Sequence, residues 1–349
     1  MAIFGMGLTM AAVFIGFGLL IGTLFGFFGM GGSFLVTPAL LVMGYPSTVA
    51  VGSGLAFVFG TSVIGALRHR DHGQVDYKLA GIMTVAMTLG IEGGKSVVFF
   101  LEATGMADLI INVAYVGLLA GVGLLTLRDA WSDSGDDTSS DLADRVQAIR
   151  IPPMVTLRGG VRVSAAIIFA VGLAIGVLSG FLGVGGGFLL MPAMMYGLGV
   201  PAAIAVGTDI LQITISGAFG AFTYAQSGAV ALPVVGFLLL GSALGARIGA
   251  GVTKLVDEDE IKGYFAAMLL AGSIAVASNK LGNVYGIELL NTVSTVLIFG
   301  AALLVSSAVV IAAVCRLRGD RPGHGVNSLH RRCAQYCVRH TTTFESVSR

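Results

Sequence analysis

Charged side chains are scarce in this sequence. Asp, Glu, Lys and Arg make up only 11% of its 349 residues, whereas 55% of the residues are hydrophobic and the mean hydropathy is +0.90. A soluble domain carries roughly 25% charged residues, because these cover its water-facing surface. The composition therefore excludes a soluble globular protein and predicts an integral membrane protein.

Several other features are also missing. The sequence has no alternating strand-like segments, which leaves helices as the structure that satisfies the backbone in lipid. Its net charge of +1 indicates no nucleic-acid partner. It contains no P-loop and no set of nucleophile, base or metal ligands, so we expect no ATP-driven pump, no enzyme, no cofactor and no metal site. Three cysteines, all from residue 315 onward, do not make a disulfide framework.

Nine apolar stretches are long enough to cross a bilayer as helices of about 20 residues. They cover residues 8–28, 49–67, 79–101, 108–127, 163–182, 202–222, 230–252, 263–278 and 289–314. The first stretch lacks a basic start and a small-residue cleavage site, so we interpret it as a retained span. We therefore predict an all-α polytopic membrane protein of about 8–11 membrane segments, multi-pass in the cell membrane.

One segment of the sequence occurs twice. Residues 18–39 and 172–193 are identical at 14 of 22 positions with an offset of 154, and the offset becomes 155 after Pro38 and Pro192. Each copy holds a glycine cluster, residues 29–33 or 183–187, followed by proline. Such a cluster predicts a helix broken at the same place in both halves, which in a membrane protein indicates a transport site.

The repeat defines the domain organisation. We predict a first transmembrane repeat over 1–128, a cytoplasmic linker over 129–162, and a second transmembrane repeat over 163–279. An extra C-terminal span follows over 280–315, and then a cytoplasmic basic tail over 316–349. The polar composition of the linker predicts a partly disordered loop with a short helix at most.

The distribution of Lys and Arg predicts the orientation, because these residues are enriched in cytoplasmic loops. Loop 68–78 has three of them and the linker region 128–162 has five arginines, which together with the basic tail predicts a cytoplasmic C-terminus. Equivalent loops of the two halves differ in their Lys and Arg content, so that a basic loop in one half corresponds to a loop without these residues in the other. This swap predicts inverted repeats. Inversion requires an odd number of crossings in each half. Either the short segments after the glycines (33–43 and 188–196) cross the membrane, or the halves are not inverted; we favour inversion.

The glycine clusters are the first candidate site. A glycine inside a helix costs about 1 kcal/mol relative to alanine, and an unwound stretch leaves backbone N–H groups free to bind an anion. The alternative is that these glycines only let helices pack closely. The candidate substrate-binding residues are Gly29, Gly31, Gly32, Ser33, Gly183, Gly185, Gly186 and Gly187.

Two further patterns carry a family resemblance. The Gly-x-Gly-Gly-(Gly/Ser)-x-x-x-x-Pro repeat, Ala-Val-Gly-Ser/Thr at 50–53 and 205–208, and residues 73–77 together resemble the TauE/SafE sulfite exporter family over roughly residues 15–280. The resemblance implies transport of small oxyanions and sulfur-containing organic acids such as sulfite and sulfoacetate, and leaves the substrate open. Ser33 replaces a third glycine of the first motif, and Ser53-Gly54 stands where the second half has Thr208-Asp209, so the halves need not bind equivalently.

Polar side chains inside the spans are further candidates, since they are costly in lipid and usually functional. Ser53 and Thr208, like Thr61, Gln212 and Ser216, offer hydrogen bonds either to a bound oxyanion or to neighbouring helices. Asp209 either couples transport to a proton or sodium ion or caps its helix.

Three charges in the spans are also candidates. Glu92 and Lys95, one helical turn apart, are either coupling residues or part of a structural ion-pair network. Arg247 is the repeat counterpart of Glu92, and it either binds the oxyanion, as arginine does well, or belongs to the same network.

These observations predict a secondary transporter, and the family resemblance implies an exporter. It would move a small anion, sulfite or another sulfur oxyanion or organosulfonate, by alternating access. Its partners would be this substrate, a coupling ion (H⁺ or Na⁺) and the lipid bilayer. The alternative is an anion channel with the same duplicated pore-lining motifs. Saturable flux favours the carrier, and linear conductance favours the channel.

Overall fold

Helices form most of the residues that the structure describes. The computed structural model describes residues 2–3, 6–28, 34–69, 75–131, 151–158, 160–252 and 258–319. Its eleven α-helices are α1 (Leu8–Phe28), α2 (Val36–Val42), α3 (Ser47–His69), α4 (Tyr77–Ala103), α5 (Ala107–Trp131), α6 (Ala165–Leu182), α7 (Gly187–Pro192), α8 (Ala202–Gln226), α9 (Leu232–Val252), α10 (Glu258–Tyr285) and α11 (Glu288–Gly319). A π-helix, Ala193–Gly197, follows α7. Two short hairpins complete it: β1 (Ala2–Ile3) with β2 (Met6–Gly7), and β3 (Met154–Thr156) with β4 (Arg162–Ser164).

Nine of the helices in the described residues are long and apolar enough to cross a membrane. They coincide with the nine apolar stretches, so the prediction of an all-α polytopic membrane protein is confirmed. The two remaining helices, α2 and α7, are short and follow the two glycine clusters. Each half therefore has four long helices and one short one, and α11 is the extra span.

Helix α4 runs parallel to both α6 and α8. Gly90 of α4 packs against Leu173 of α6, and Gly94 packs one turn further along against Val177. Met87 of α4 also accepts a hydrogen bond from Gln212 of α8, and the Phe99 ring lies 5.9 Å from the Tyr224 ring. Helices α6 and α8 therefore run in the same direction, and the chain must return across the bundle through residues 183–201, which contain α7.

The first half repeats this arrangement. Helix α9 runs parallel to α1, because Gly18 packs against Leu238 and Gly26 against Ala246. It also runs parallel to α3, since Ser53 accepts a hydrogen bond from the Ala231 N–H at 2.9 Å and Gly60 packs against Leu239. Helices α1 and α3 are therefore parallel, and the chain returns between them through residues 29–46. That the short segments cross the membrane stays a prediction.

The two halves are inverted relative to one another. Helices α3 and α8 are repeat counterparts and pack antiparallel, with Gly52 against Tyr224 and Gly217 against Phe59. Counterparts α5 and α10 are also antiparallel, since Gly123 packs against Leu270 whereas Ser273 donates a hydrogen bond to Val116 O at 3.0 Å. A two-fold axis along the membrane normal would keep counterparts parallel, so the axis lies in the membrane plane. The prediction of inverted repeats agrees with this geometry.

The linker is where the sequence interpretation was wrong. Its described part does not form a loop or a short helix but the β3–β4 hairpin, which Gly160 turns at φ +83°. Leu157 and Val163 are buried in an apolar cluster with Leu79, Leu198 and other residues of α4, α6 and α8. The expectation of no alternating strand-like segments is also wrong here, because apolar and polar residues of this segment alternate as they do in strands. The average polarity of the whole linker hid this pattern.

Candidate functional site

The second glycine cluster breaks the chain between α6 and α7. Helix α6 ends at Leu182, and Gly183, Gly185 and Gly186 follow with φ of 73°, 70° and 81°. These are left-handed conformations that glycine adopts without a steric penalty. Residues 183–187 are all buried. The predicted break is therefore present here, whereas Gly29, Gly31, Gly32 and Ser33 lie outside the described residues, between the end of α1 at Phe28 and Phe34.

The break packs directly against the other half of the molecule. A Cβ placed on Gly183 would lie 2.5 Å from the backbone oxygen of Val51, and one on Gly185 would lie 2.5 Å from a methyl carbon of Val58. Gly54 is the next residue on the same face of α3. A Cβ placed on Gly54 would lie 2.6 Å from the carbonyl oxygen of Gly183. The cluster therefore serves close packing as well as the break, and its role toward an anion stays a prediction.

Hydroxyl groups satisfy the carbonyls at the end of α6. Tyr224 donates to Gly180 O at 2.7 Å, Tyr115 donates to Leu182 O, and Thr37 donates to Gly183 O at 3.4 Å. The N–H groups of Gly185, Gly186 and Gly187 have no hydrogen-bond acceptor among the described residues. Because the carbonyls are paired and these amides are not, the break offers donors. That is the polarity that an anion needs.

The sequence analysis did not find these hydroxyl residues. A buried tyrosine in an apolar span needs a hydrogen-bond partner, which is the signal that could have singled out Tyr115 and Tyr224. The partner itself could not be predicted, because it is a backbone carbonyl on another helix.

A row of buried polar side chains on α8 lies beside the break. Gln212 donates to Ser216 Oγ at 3.1 Å and contacts the sulfur of Met87. The methyl group of Met87 in turn lies 2.7 Å from where a Cβ of Gly186 would be. The side chain of Gln212 is therefore separated from the glycine break by one methionine side chain.

Two acceptor atoms in this row have no partner. Asp209 is 2% exposed and Gln212 is fully buried, and neither Asp209 Oδ1 nor Gln212 Oε1 accepts a hydrogen bond from a described residue. Buried polar atoms are nearly always paired, so an unpaired pair of acceptors one helical turn apart requires an explanation. A proton on the carboxyl group, or a bound cation, would supply one.

The interpretation of Asp209 as a helix cap is wrong. The N-cap of α8 is Pro201, and Asp209 lies two turns inside the helix. Its counterpart in the first half is Gly54, which contacts Gly183. The repeat equivalents of Gly54 and Gly183 are Asp209 and Gly29, and Gly29 lies outside the described residues.

Ser53 and Thr208 are bonded across the two halves. Ser53 Oγ accepts from the Ala231 N–H at 2.9 Å, and Thr208 Oγ1 accepts from the Asp76 N–H at 3.1 Å. Both pairs are related by the offset of 155, so the same bond occurs twice. The Ser53 hydroxyl thus joins α3 to the residue before α9, and the Thr208 hydroxyl joins α8 to the residue at the start of α4. This agrees with the interpretation of both hydroxyls as groups that hydrogen-bond neighbouring helices. Their role toward a substrate stays a prediction.

The charged candidates lie away from the break. Lys95 Nζ is 3.9 Å from Glu92 Oε1, so these two residues pair along α4 as the spacing indicated. Glu92 is 49% exposed on the face of α4 that points away from α6. Arg247 is exposed on the equivalent face of α9 and has no ion pair with a described residue. The structure does not bring Arg247 to the glycine break, and its substrate role stays a prediction.

The two ends of the helix bundle differ. A polar cavity of about 470 Å³ opens where α4 ends and α3 begins. Its polar lining comprises Ser47, Thr48, Glu102, Asp108, Asn112, Asn279, Lys280 and Asn283. At the opposite end, Val200 is the counterpart of the cavity residue Tyr45, and there it is packed under Leu157 and Val163 of the linker hairpin. The hairpin therefore covers one end while the equivalent corner of the other end is open.

The hairpin is held by Asp76. One carboxylate oxygen of Asp76 accepts from the N–H groups of Lys78 and Leu79 at 3.0 and 3.1 Å and so caps α4, and the other accepts from the Arg158 N–H at 2.6 Å. Its backbone N–H is the donor to Thr208. Asp76 therefore joins the linker hairpin, α4 and α8.

Comparisons with known proteins agree with this architecture. A family model described as "Sulfite exporter TauE/SafE" matches residues 14–276. The chain is 29% identical over 239 residues to a probable membrane transporter protein of Xylella fastidiosa strain 9a5c, which covers 68% of this chain and 82% of the relative. It is 24% identical over 260 residues to the probable membrane transporter protein YjnA of Bacillus subtilis, covering 74% and 96%. No solved structure matches the chain significantly.

Proposed function

Since this chain belongs to the sulfite exporter TauE/SafE family and is a membrane transporter, not an enzyme, we propose that it exports a small anion by alternating access. The proposed substrate is sulfite or another sulfur oxyanion or organosulfonate, and an ion gradient supplies the energy. The proposed site is formed by the amides of Gly185, Gly186 and Gly187 together with Gln212 and Asp209.

One observation carries this proposal: the unpaired donors at the break of the second half are buried one methionine side chain away from Gln212, whose own unpaired acceptor lies one helical turn from that of Asp209. Helix α7 has only six residues, so its dipole contributes little and the individual N–H groups are the relevant donors. An oxyanion accepts from such groups in a buried setting, where each charge-assisted hydrogen bond is strong. Arg247 faces outward and is not included in this site.

Asp209 is the proposed coupling residue. An anion and an ionised carboxylate repel one another strongly in a buried, low-dielectric setting. Binding of the anion therefore favours the form of Asp209 that carries H⁺ or Na⁺, and release of the anion favours release of that ion. This linkage couples the movement of the two without a direct contact.

The two dissimilar ends support alternating access. The break is buried, the cavity leads inward from one end, and the linker hairpin covers the other end. We propose that the hairpin end faces the cytoplasm, as the Lys and Arg distribution predicts, so that the cavity faces outside and the C-terminus is cytoplasmic. Transport would then require the hairpin to move away from Leu198 and Val200 while the cavity closes.

The test is a counterflow assay with purified protein in liposomes, using sulfite, sulfate, thiosulfate, sulfoacetate and taurine. The proposal predicts saturable exchange of at least one sulfur oxyanion or sulfonate that a pH or sodium gradient accelerates. Conductance that rises linearly with concentration would instead identify an anion channel. Absence of exchange for every anion of the panel would contradict the proposed substrate class.

A further inference from the structure

The outward face of α4 carries a charged pair where a membrane helix has to be apolar. Glu92 is the sixteenth of the 27 residues of α4, about 16 Å along the axis from the last residue at 1.5 Å per residue. That distance is longer than a glutamate side chain, so the carboxylate cannot reach water beyond the end of the helix. Glu92 is nevertheless 49% exposed.

The pairing within α4 does not remove this difficulty. Lys95 is 3.9 Å from one carboxylate oxygen of Glu92, and its ammonium group also lies 5.9 Å from the centre of the Phe99 ring. Lys95 is 16% exposed and thus largely covered, whereas Glu92 presents its carboxylate outward. Charged side chains at this depth almost always face protein or water, because facing lipid is costly.

The surroundings of Glu92 suit close contact with another helix. Gly93 is exposed, and a Cβ placed on it would touch only Val177, at 3.9 Å. Ser96 is exposed one turn away, and the larger side chains of Leu89 and Phe100 lie on either side at 57% and 68% exposure. Small residues at the centre of such a face allow two helix backbones to approach closely.

We propose that this face of α4 binds the same face of a second copy of the protein. A two-fold axis along the membrane normal places Glu92 of each copy beside Lys95 of the other, so that two intrahelical pairs become a ring of four alternating charges. The face is thus complementary to itself, as an isologous dimer interface must be. Each half-exposed carboxylate gains a second cation and is removed from lipid.

The repeat supplies an internal comparison. On α9 the counterparts of Glu92 and Gly93 are Arg247 and Ile248, both exposed. Arg247 is only five residues from the end of α9 at Val252, so its long side chain can extend toward the membrane surface. That face lacks the charge pair and has Ile248 where α4 has Gly93, although Gly251 is exposed where α4 has Ser96; we expect it to contact lipid.

Cysteine cross-linking in proteoliposomes tests the interface, in a variant whose three native cysteines are serine. Gly93→Cys is expected to form covalent dimers under mild oxidation, and Ile248→Cys, its repeat counterpart, is expected to stay monomeric. Equal cross-linking at the two positions, or none at Gly93→Cys in folded protein, would overturn the proposal. A product that joins the α4 face to the α9 face would do so as well.

Charge reversal distinguishes a contact between copies from one within a helix. Glu92→Lys gives two positive charges on the face and Lys95→Glu gives two negative ones, so each variant alone is expected to lose at least about tenfold in dimer yield through like-charge repulsion. Mixing the two, each carrying Gly93→Cys, restores cross-linking as a mixed dimer. Two variants that stay monomeric when mixed, while both elute as folded protein, would overturn the proposal.

Discussion

At the residue scale, Asp209 and Gln212 are two of the six described residues with a buried side-chain oxygen that has no hydrogen-bond partner. Both lie on α8, and each has an oxygen without a donor among the described residues. A structural role would leave them paired, as Thr208 and Ser216 are. Their unpaired acceptors are the reason for including both residues in the proposed site.

Asp209→Asn tests the coupling role. The amide has nearly the same shape but cannot carry a proton at neutral pH, so we expect exchange of the anion to continue while uptake driven by a pH or sodium gradient falls to the background. Glu288→Gln, at the exposed start of α11, is the control for loss of a carboxylate. Gradient-driven accumulation equal to wild type would rule out Asp209 as the coupling residue.

Glycine substitutions test the break. Gly183→Ala forces a Cβ against the Val51 backbone in a left-handed conformation, which by itself costs about 1–2 kcal/mol. We expect a lower Tm than for Gly186→Ala, which has the same left-handed conformation but where the added methyl meets side-chain atoms of Met87 and Ile175 and no backbone. Gly197→Ala, in the same segment with open space around it, should match wild type. Equal Tm values for all three variants would contradict the packing described.

Part of this site was predictable from the sequence. The break could be predicted because glycine clusters recur at a fixed offset and lie in apolar stretches. Contacts such as Gln212 with Met87, or Tyr115 with Leu182, join residues far apart in the chain and depend on how helices pack. Arg247 shows that a residue type can also suggest too much. An arginine suggested an anion partner, but only the packing of α9 reveals that this side chain faces outward.

At the scale of elements, the lengths of the apolar stretches predicted the nine long helices, but not the course of α2 and α7. A segment of seven residues, or of six, is too short to be identified as a crossing from its own composition. The direction of α7 follows only from the parallel packing of α4 with α6 and α8, and that of α2 from the parallel packing of α9 with α1 and α3. The β3–β4 hairpin was missed for a related reason, because its apolar residues are few and are buried only by other elements.

Asp76→Ala tests the element that holds the hairpin. The substitution removes the cap of α4 and the acceptor for the Arg158 N–H, so we expect a loss of about 1–2 kcal/mol in stability. Amide exchange should accelerate in the first turn of α4 and in β3. Asp76→Asn keeps an acceptor oxygen and should retain most of the protection. If Asp76→Ala leaves exchange in β3 unchanged, another contact holds the hairpin.

At the scale of the whole molecule, the inverted halves give the transporter two ends of related construction and different cover. The cavity end presents polar residues such as Asn283, whereas the linker end is closed by Leu157 and Val163. The internal symmetry is the basis for proposing two comparable conformations, and the hairpin makes the two ends unequal.

Thiol labelling with a membrane-impermeant reagent tests this arrangement. Asn283→Cys, in a variant without native cysteines, should react rapidly in right-side-out vesicles because it lines the open cavity. Leu157→Cys, which is 3% exposed, should react slowly in inside-out vesicles. It should react faster when transport is under way. Rapid labelling of Asn283→Cys only in inside-out vesicles would reverse the proposed orientation.

The most direct test of the proposed site is a structure of the protein with the sulfur anion that competes best in counterflow. We predict that an anion oxygen lies within about 3.2 Å of the amides of Gly185, Gly186 or Gly187, with Gln212 beside it. An anion bound at Arg247, or in the polar cavity alone, would contradict the assignment of the glycine break as the transport site.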